Sequence, residues 1–247
     1  MAGETIKSEA ICLAVTPWSK TSHVVTWLTP SGRVGTVVKG AVRPKSAFLG
    51  QYDLNYTCEI VYYARTKGDL HALRECAPLE RRDPMREDYA ALALAGYFRL
   101  LADRFAPQGP DCAEWYETLS TALDGLSANA GDEGKGETLL PALLKTELRV
   151  LHLLGLEPEI EAESGAFVLR GERKVPVSAE VAQLLRTLST PLASLSSPSP
   201  LAFASLPSSL ALDAARSLGV YYDFHVDGVS DVRRAVLRMI HNKETKR

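Results

Sequence analysis

The sequence has few cysteines, and none of them forms a metal-binding pattern. Cys12, Cys58, Cys76 and Cys112 make no CxxC or CxH pair, which argues against a structural zinc site. No apolar run is long enough to cross a bilayer, and no secretory signal pattern opens the chain. We therefore expect a cytoplasmic protein that is not in a membrane and holds neither a disulfide framework nor a metal.

Sequence motifs for catalysis are missing as well. The segment 40–46 ends in Lys-Ser like a phosphate-binding loop, but it lacks the glycine before the lysine, and Pro44 removes a backbone N–H. The segment 131–138 has suitable glycines, but Glu137 stands where the lysine is required. The histidines form no HExxH motif, and there is no GxSxG. We predict that the protein is not an enzyme and needs no cofactor.

Positive charge is concentrated in one segment. The net charge of −2 excludes a uniformly basic protein, yet residues 32–50 contain four cations and no Asp or Glu. Gly40 and Pro44 interrupt regular structure there, so we expect an exposed, irregular loop beside a sheet. Such a loop suits a polyanion, although an ordinary solvated loop is the alternative. The four cations are Arg33, Lys39, Arg43 and Lys45.

The first 80 residues have the pattern of short strands. Five segments rich in β-branched and aromatic residues are separated by turn signals, and no long helix intervenes. Five short strands in so few residues predict a small closed barrel, with the oligonucleotide-binding (OB) fold as the leading candidate and an SH3-like barrel as the alternative. The segments are 6–15, 23–29, 33–40, 54–64 and 70–77.

The remaining sequence has helical periodicity. We therefore predict an α+β protein with an OB-fold β-barrel at residues 1–80 and an all-helical domain at residues 81–247. A cysteine-free hairpin at 167–177 interrupts the helices, and residues 190–207 are predicted to form an extended loop or linker. The predicted helices are 84–105, 112–126, 138–156, 178–188, 208–226 and 230–241.

Further cations accompany the basic segment. Arg65 and Lys67 lie in the turn between the fourth and fifth strands, and Arg74 follows on the fifth. In an OB barrel that turn borders the nucleic-acid face, so all three join the predicted site. Aromatic residues near this face could stack on bases, although Trp27 could instead belong to the core; these residues are Trp18, Trp27, Phe48 and Tyr52.

A second basic strip lies near the C-terminus. Arg233, Arg234 and Arg238 fall within the last predicted helix, and Arg234 and Arg238 are one turn apart. The strip is either a secondary nucleic-acid contact or a solvated helix face that complements the helix dipole.

Two stretches resemble the bacterial recombination mediator RecO family. Residues 25–30 (VTWLTP), 32–34 (GRV) and 39–46 (KGAVRPKS) are similar to the conserved N-terminal signature of that family. Residues 146–158 (TELRVLHLLGLEP) resemble its characteristic helix. The resemblance is good over the first 80 residues and over residues 140–160, and looser elsewhere.

The resemblance implies an OB barrel followed by a helical domain, in agreement with the independent interpretation. It also implies binding of single- and double-stranded DNA, annealing of complementary strands, and help in replacing single-stranded DNA-binding protein with RecA, together with RecR. Such a protein would be nucleoid-associated, and we expect it to be monomeric alone. The acidic tail of the single-stranded DNA-binding protein could dock at Lys145 and Arg149, which are one helical turn apart.

The sequence departs from the family in two places. Many members carry a four-cysteine zinc module after the LGLEP-like element, whereas residues 157–177 contain no cysteine. We therefore expect a degenerate module without metal. Val42 also replaces a cation that is common in the family. Two other functions remain open from sequence: an OB domain that binds RNA, and an adaptor whose partner is a protein.

Overall fold

The computed structural model describes most of the chain. The described residues are 4–65, 68–109, 112–130, 139–160, 166–168, 174–189 and 207–245. The turn of the predicted hairpin (171–173), the acidic glycine-rich segment (131–138) and most of the predicted linker (190–206) lie outside them.

Five strands form a closed barrel at the N-terminus. The strand order is β1-β2-β3-β5-β4, with β1 paired to both β2 and β4, and with β3 and β5 parallel. This five-stranded Greek-key arrangement is OB-like and confirms the predicted barrel. The strands are β1 (Thr5–Pro17), β2 (His23–Thr29), β3 (Gly32–Val38), β4 (Thr57–Tyr63) and β5 (Leu70–Glu80).

Alternation along β2 and β3 positions the barrel core. Val25 and Trp27 are fully buried, as expected when every second side chain of a strand points inward. The indole Nε1 of Trp27 donates a hydrogen bond to Oγ1 of the buried Thr36 at 2.8 Å. Trp27 is therefore a core residue with a satisfied polar group, and it is not a surface for stacking bases.

Six α-helices of the described residues follow the barrel and confirm the predicted helical region. A short 3-10 helix (Asp83–Glu87) precedes the first, and a small hairpin of β6 (Ala166–Val168) and β7 (Lys174–Pro176) lies between α3 and α4. The helices are α1 (Tyr89–Phe105), α2 (Ala113–Ala128), α3 (Leu139–Leu153), α4 (Ala179–Ser189), α5 (Ser208–His225) and α6 (Ser230–Thr245).

The chain divides into two compact units. The N-terminal unit comprises Met1–Asp83 and Phe98–Leu123, so it contains the barrel, the end of α1 and most of α2. The C-terminal unit comprises Pro84–Tyr97 and Asp124–Arg247. Its core is α3, most of whose residues are buried and which packs against α4 and α5.

Candidate nucleic-acid interface

The connection between β3 and β4 (residues 39–56), which we term the cationic loop, is built from successive turns. Gly40 adopts a left-handed φ of +66°, which ends β3 and is accessible to glycine at low cost. The Arg43 amide then donates to the Gly40 carbonyl at 3.1 Å, and the Ser46 amide to the Arg43 carbonyl at 2.9 Å. Because the backbone turns repeatedly, the side chains of Lys39, Arg43 and Lys45 are all exposed.

These three exposed cations have no carboxylate partner. Among the residues that the structure describes, no Asp or Glu forms an ion pair with Lys39, Arg43 or Lys45. By contrast, the exposed Lys7 on β1 pairs with Glu59 at 2.9 Å. The cationic loop therefore keeps its positive potential, which an anionic polymer would encounter directly.

The turn between β1 and β2 adds residues that the sequence analysis did not select as cations of the site. It lies against the cationic loop, since the Val42 amide donates to the Thr21 carbonyl and the Gly40 amide to Ser22 Oγ, both at 3.3 Å. The same turn carries exposed Lys20 and Trp18, the latter 64% exposed. A single lysine between polar residues gave no sequence signal; only the hydrogen bonds reveal that Lys20 belongs here.

The turn between β4 and β5, together with β5 itself, carries the second group of predicted residues. Arg65 is exposed, and the guanidinium of Arg74 lies 4.4 Å from the ring centroid of Tyr63 and donates to its hydroxyl. Arg74 remains exposed in this cation–π arrangement. Lys67 lies outside the described residues.

Strand register relates Arg74 to the start of the cationic loop. β3 and β5 run parallel, with Val37 paired to Ala72. Lys39 lies two residues after Val37, and Arg74 lies two residues after Ala72. The register therefore places Arg74 level with Lys39, where the cationic loop begins, whereas the β4–β5 turn precedes Leu70, which pairs with Gly35 nearer the start of β3.

Arg33, also predicted for the site, already has partners within the N-terminal unit. Its guanidinium Nη1 lies 3.6 Å from the Asp103 carboxylate and donates to the Asp103 carbonyl, and the side chain is only 22% exposed. A cation that is already neutralised and hydrogen-bonded is poorly placed to bind phosphate. Arg33 instead attaches the end of α1 to the barrel, which argues against the predicted contact with phosphate.

Arg233 does not belong to the predicted basic strip on the surface of α6, because it is only 3% exposed. The prediction for this residue is wrong. Its Nε and Nη2 bind the two oxygens of the fully buried Glu147 on α3 at 2.6 and 2.8 Å. Nη2 also donates to the Ala215 carbonyl at 2.8 Å. The pKa of Arg233 is raised because attraction to Glu147 outweighs the opposing effect of burial. Arg233 is thus a structural ion pair and not a surface cation.

The other two arginines of the strip line a cleft between α5 and α6. Arg234 is exposed but pairs with Asp231 at 2.8 Å and with Asp223 at 3.4 Å. Arg238 is exposed, and its Nε donates to the Arg234 carbonyl at 3.3 Å. The cleft has a volume of about 340 Å³ and includes the apolar side chain of Leu237. Its positive charge is therefore partly compensated, unlike that of the cationic loop.

The two residues predicted for acidic-tail docking lie on the central helix of the C-terminal unit. Lys145 and Arg149 are each partly buried on α3, and burial lowers the pKa of Lys145. Within the described ranges, no group of three or more His, Cys, Asp or Glu side chains is arranged to hold a metal ion, and no helix has the length and apolarity to cross a bilayer.

The fold and the loop charges define the chain as an OB-barrel protein with an electropositive loop face joined to a helical region. Family models agree with this class in detail. "Recombination protein O N terminal" matches residues 1–82 and "Recombination protein O C terminal" matches residues 86–233. The chain belongs to the RecO family, which confirms the resemblance noted in its sequence.

Curated relatives support the same conclusion. Proteins named "DNA repair protein RecO" from Moorella thermoacetica and Roseiflexus sp. are 30% and 27% identical over 159 and 160 residues. These alignments cover 63% and 65% of this chain, and 55% and 53% of the relatives. A protein of the same name from Rhodopirellula baltica is 32% identical over 155 residues, with 60% and 53% covered. The chain therefore aligns with only about half the length of these relatives.

Proposed function

We propose that the protein acts in DNA repair by homologous recombination, binding the DNA backbone through the cationic loop. In this role it anneals complementary single strands, and together with RecR it helps RecA replace single-stranded DNA-binding protein. Family membership supports the repair role. The observation that carries the DNA-binding site is the unpaired, exposed state of Lys39, Arg43 and Lys45.

Electrostatics accounts for annealing without covalent chemistry. Two complementary strands repel each other through their phosphates, and this repulsion slows their encounter. Side chains that neutralise phosphates on both strands release condensed counterions and reduce that repulsion. Lys39, Arg43 and Lys45 supply this charge, and exposed Lys20, Arg65 and Arg74 extend it along the barrel.

The salt dependence of binding tests the site. In the triple variant Lys39→Ala/Arg43→Ala/Lys45→Ala, the log–log slope of duplex affinity against salt should shrink by about 2 to 3, since each phosphate contact contributes roughly 0.9. Fluorescence anisotropy at several salt concentrations measures it. Strand annealing in the presence of single-stranded DNA-binding protein should slow in the same variant.

A charge-matched control separates a local site from net charge. Lys7, Arg81 and Arg104 are exposed cations in the N-terminal unit outside the cationic loop, and their triple alanine variant has the same net charge as the test variant. We expect its slope to remain near that of the unmodified protein. Two results would contradict the assignment of the cationic loop to the interface: an equal reduction of the salt slope in both triple variants, or an unchanged slope in the variant of Lys39, Arg43 and Lys45. Stronger binding to RNA than to single-stranded DNA would favour the RNA-binding alternative.

We also propose that the helical unit binds the acidic tail of single-stranded DNA-binding protein through Lys145 and Arg149. Support comes from their one-turn spacing on α3 and from the family relationship. Peptide binding measured by anisotropy should be lost in Lys145→Glu/Arg149→Glu. The matched control is Arg216→Glu/Arg238→Glu, which alters the cleft between α5 and α6. Loss only in the control variant would move the docking site to that cleft.

A further inference from the structure

We propose that a cleft beneath the cationic loop binds one unstacked base of a single strand, so that the protein distinguishes single strands from duplex. This inference rests on the proposed function, because the cationic loop must first bind the nucleic-acid backbone. We term it the base cleft. It is lined by Val15, His23, Ala41, Phe48, Tyr52 and Asp53, among others.

The base cleft has a suitable size and aromatic walls. Its volume is about 160 Å³, around ten times the roughly 10–15 Å³ that one water molecule requires. His23 and Tyr52 meet edge to face with their ring centroids 6.1 Å apart, and Tyr52 lies 6.0 Å from the buried Trp27. Because Trp27 is fixed in the barrel core, the wall formed by Tyr52 is held in place before any ligand arrives.

Charge separates the base cleft from its surroundings. The cleft lining includes Asp53 and contains no Lys or Arg. The cations Lys39, Arg43 and Lys45 belong to the same loop but lie outside the lining. A phosphate is therefore attracted to the neighbouring cations and meets no cation in the cleft, whereas a neutral planar ring suits the cleft.

Polar groups offer hydrogen bonds to the edge of a base. His23 Nδ1 and the Tyr52 hydroxyl are 2.8 Å apart and hydrogen-bonded. Burial, with smaller contributions from Cys12 and Cys76, raises the pKa of Tyr52 to about 12, so its phenol stays protonated at neutral pH. A few polar atoms among apolar walls are typical of sites that bind small flat ligands.

Duplex DNA cannot use this cleft in the same way. Its bases are paired and stacked, so one of them can enter only after leaving the helix at an energetic cost. A single strand presents bases that are already unstacked in part, and aromatic walls accept any base because every base has a π-face. The base cleft should therefore add affinity for single strands without sequence preference.

An oligonucleotide that lacks bases tests this directly on the unmodified protein. A thymidine 15-mer and an abasic 15-mer carry the same phosphates, so they differ only in what can enter the cleft. We expect the abasic strand to bind about tenfold more weakly, the usual effect of one stacked base. Duplex affinity serves as a second reference, and fluorescence anisotropy measures all three.

A variant locates the effect. Phe48→Ala removes one wall and should reduce the thymidine-to-abasic ratio toward one while leaving the salt slope unchanged. Leu79→Ala is the matched control, because Leu79 is 52% exposed on β5 and does not line the cleft. Its ratio should equal that of the unmodified protein. Circular dichroism confirms that both variants are folded.

The outcomes distinguish this inference from the proposed function. If the unmodified protein binds thymidine and abasic strands equally well and with a steep salt dependence, the proposal that the base cleft binds a base is contradicted. Binding of phosphates by the cationic loop is then still supported. If neither strand binds at low salt, the proposed function itself fails. A reduced ratio in Leu79→Ala equal to that in Phe48→Ala would also contradict the assignment.

Discussion

The two units use basic side chains in opposite ways. In the N-terminal unit, Lys39, Arg43 and Lys45 are exposed and have no carboxylate partner among the described residues. In the C-terminal unit, Arg233 is buried against Glu147, and Arg234 pairs with two aspartates. Similar clusters of cations in the sequence thus produce an uncompensated positive surface in one unit and a stabilising network in the other.

The two units differ in where their acidic side chains lie and not in how their basic side chains are clustered in the sequence. Glu147 lies 86 residues before Arg233 in the chain, so no local pattern pairs them. The cationic loop contains no acid close to its cations, and among the described residues the fold brings no carboxylate into an ion pair with them. A basic cluster therefore predicts an anion site only when the tertiary structure leaves it uncompensated.

The largest expected effect comes from breaking the buried pair. Arg233→Leu leaves the Glu147 carboxylate buried with the Tyr97 hydroxyl as its remaining side-chain partner, at 2.8 Å. Removing one member of such a pair costs about 3–5 kcal/mol in the free energy of unfolding. Urea denaturation followed by circular dichroism measures it.

The control for that experiment comes from the other unit. Lys39→Leu removes an exposed, unpaired cation and should change the free energy of unfolding by less than about 0.5 kcal/mol. The double variant Arg233→Leu/Glu147→Leu should recover part of the loss, because no buried charge remains. Equal effects of Arg233→Leu and Lys39→Leu would refute the contrast between the units.

A new cation in each unit sharpens the comparison. Val42 in the cationic loop is 47% exposed and Val232 on α6 is 41% exposed, so the two sites are closely matched. Val42→Arg should steepen the salt slope of duplex binding by about 0.9. Val232→Arg should leave the slope unchanged, because position 232 is next to the carboxylate of Asp231. A comparable increase of the slope in both variants would mean that the whole surface contributes to binding.

The smallest effect is a pH dependence in the C-terminal unit. Oδ1 of Asp88 accepts hydrogen bonds from the Ala90 and Ala91 amides at 3.1 and 3.3 Å, and Oδ2 binds Lys243. Burial opposes the charged form, but these hydrogen bonds prevail and lower the pKa of Asp88 below 3.8. The carboxylate therefore stabilises the fold at neutral pH, and this contribution is lost as the pH falls through the lowered value.

The variant Asp88→Asn tests that pH dependence. It should cost about 0.5–1 kcal/mol at pH 7 and progressively less as the pH falls through the lowered pKa of Asp88. Thermal unfolding over that pH range measures the difference from the unmodified protein. Lys45→Ala, which removes an unpaired cation, should show no such trend, and a pH-independent cost of Asp88→Asn would contradict the role of the ionised carboxyl group.

Local patterns in the sequence were sufficient for the elements but not for the contacts between them. Alternation placed β2 at His23–Thr29, as the structure has it, because a half-buried strand carries its own period. The interior position of Trp27 depends on Thr36 across the sheet, and the pairing of Arg33 depends on Asp103 in α1. Lys20 joined the candidate site only through hydrogen bonds between two turns. Such long-range partners leave no mark in a local window.

The closed strand order also restricts how other chains can attach. Each of the five barrel strands has two neighbours, and β5 pairs with β3 only from Leu70 to Ala72. Later residues of β5 pair in the described sheet with β4 alone, so that stretch is one place where an incoming strand could be added. Pro78 lacks an amide donor, and Arg74 and Glu75 are charged and exposed there, which discourages edge-to-edge aggregation. This stretch of β5 is therefore a poor template for pairing with the sheet of a second copy of the chain.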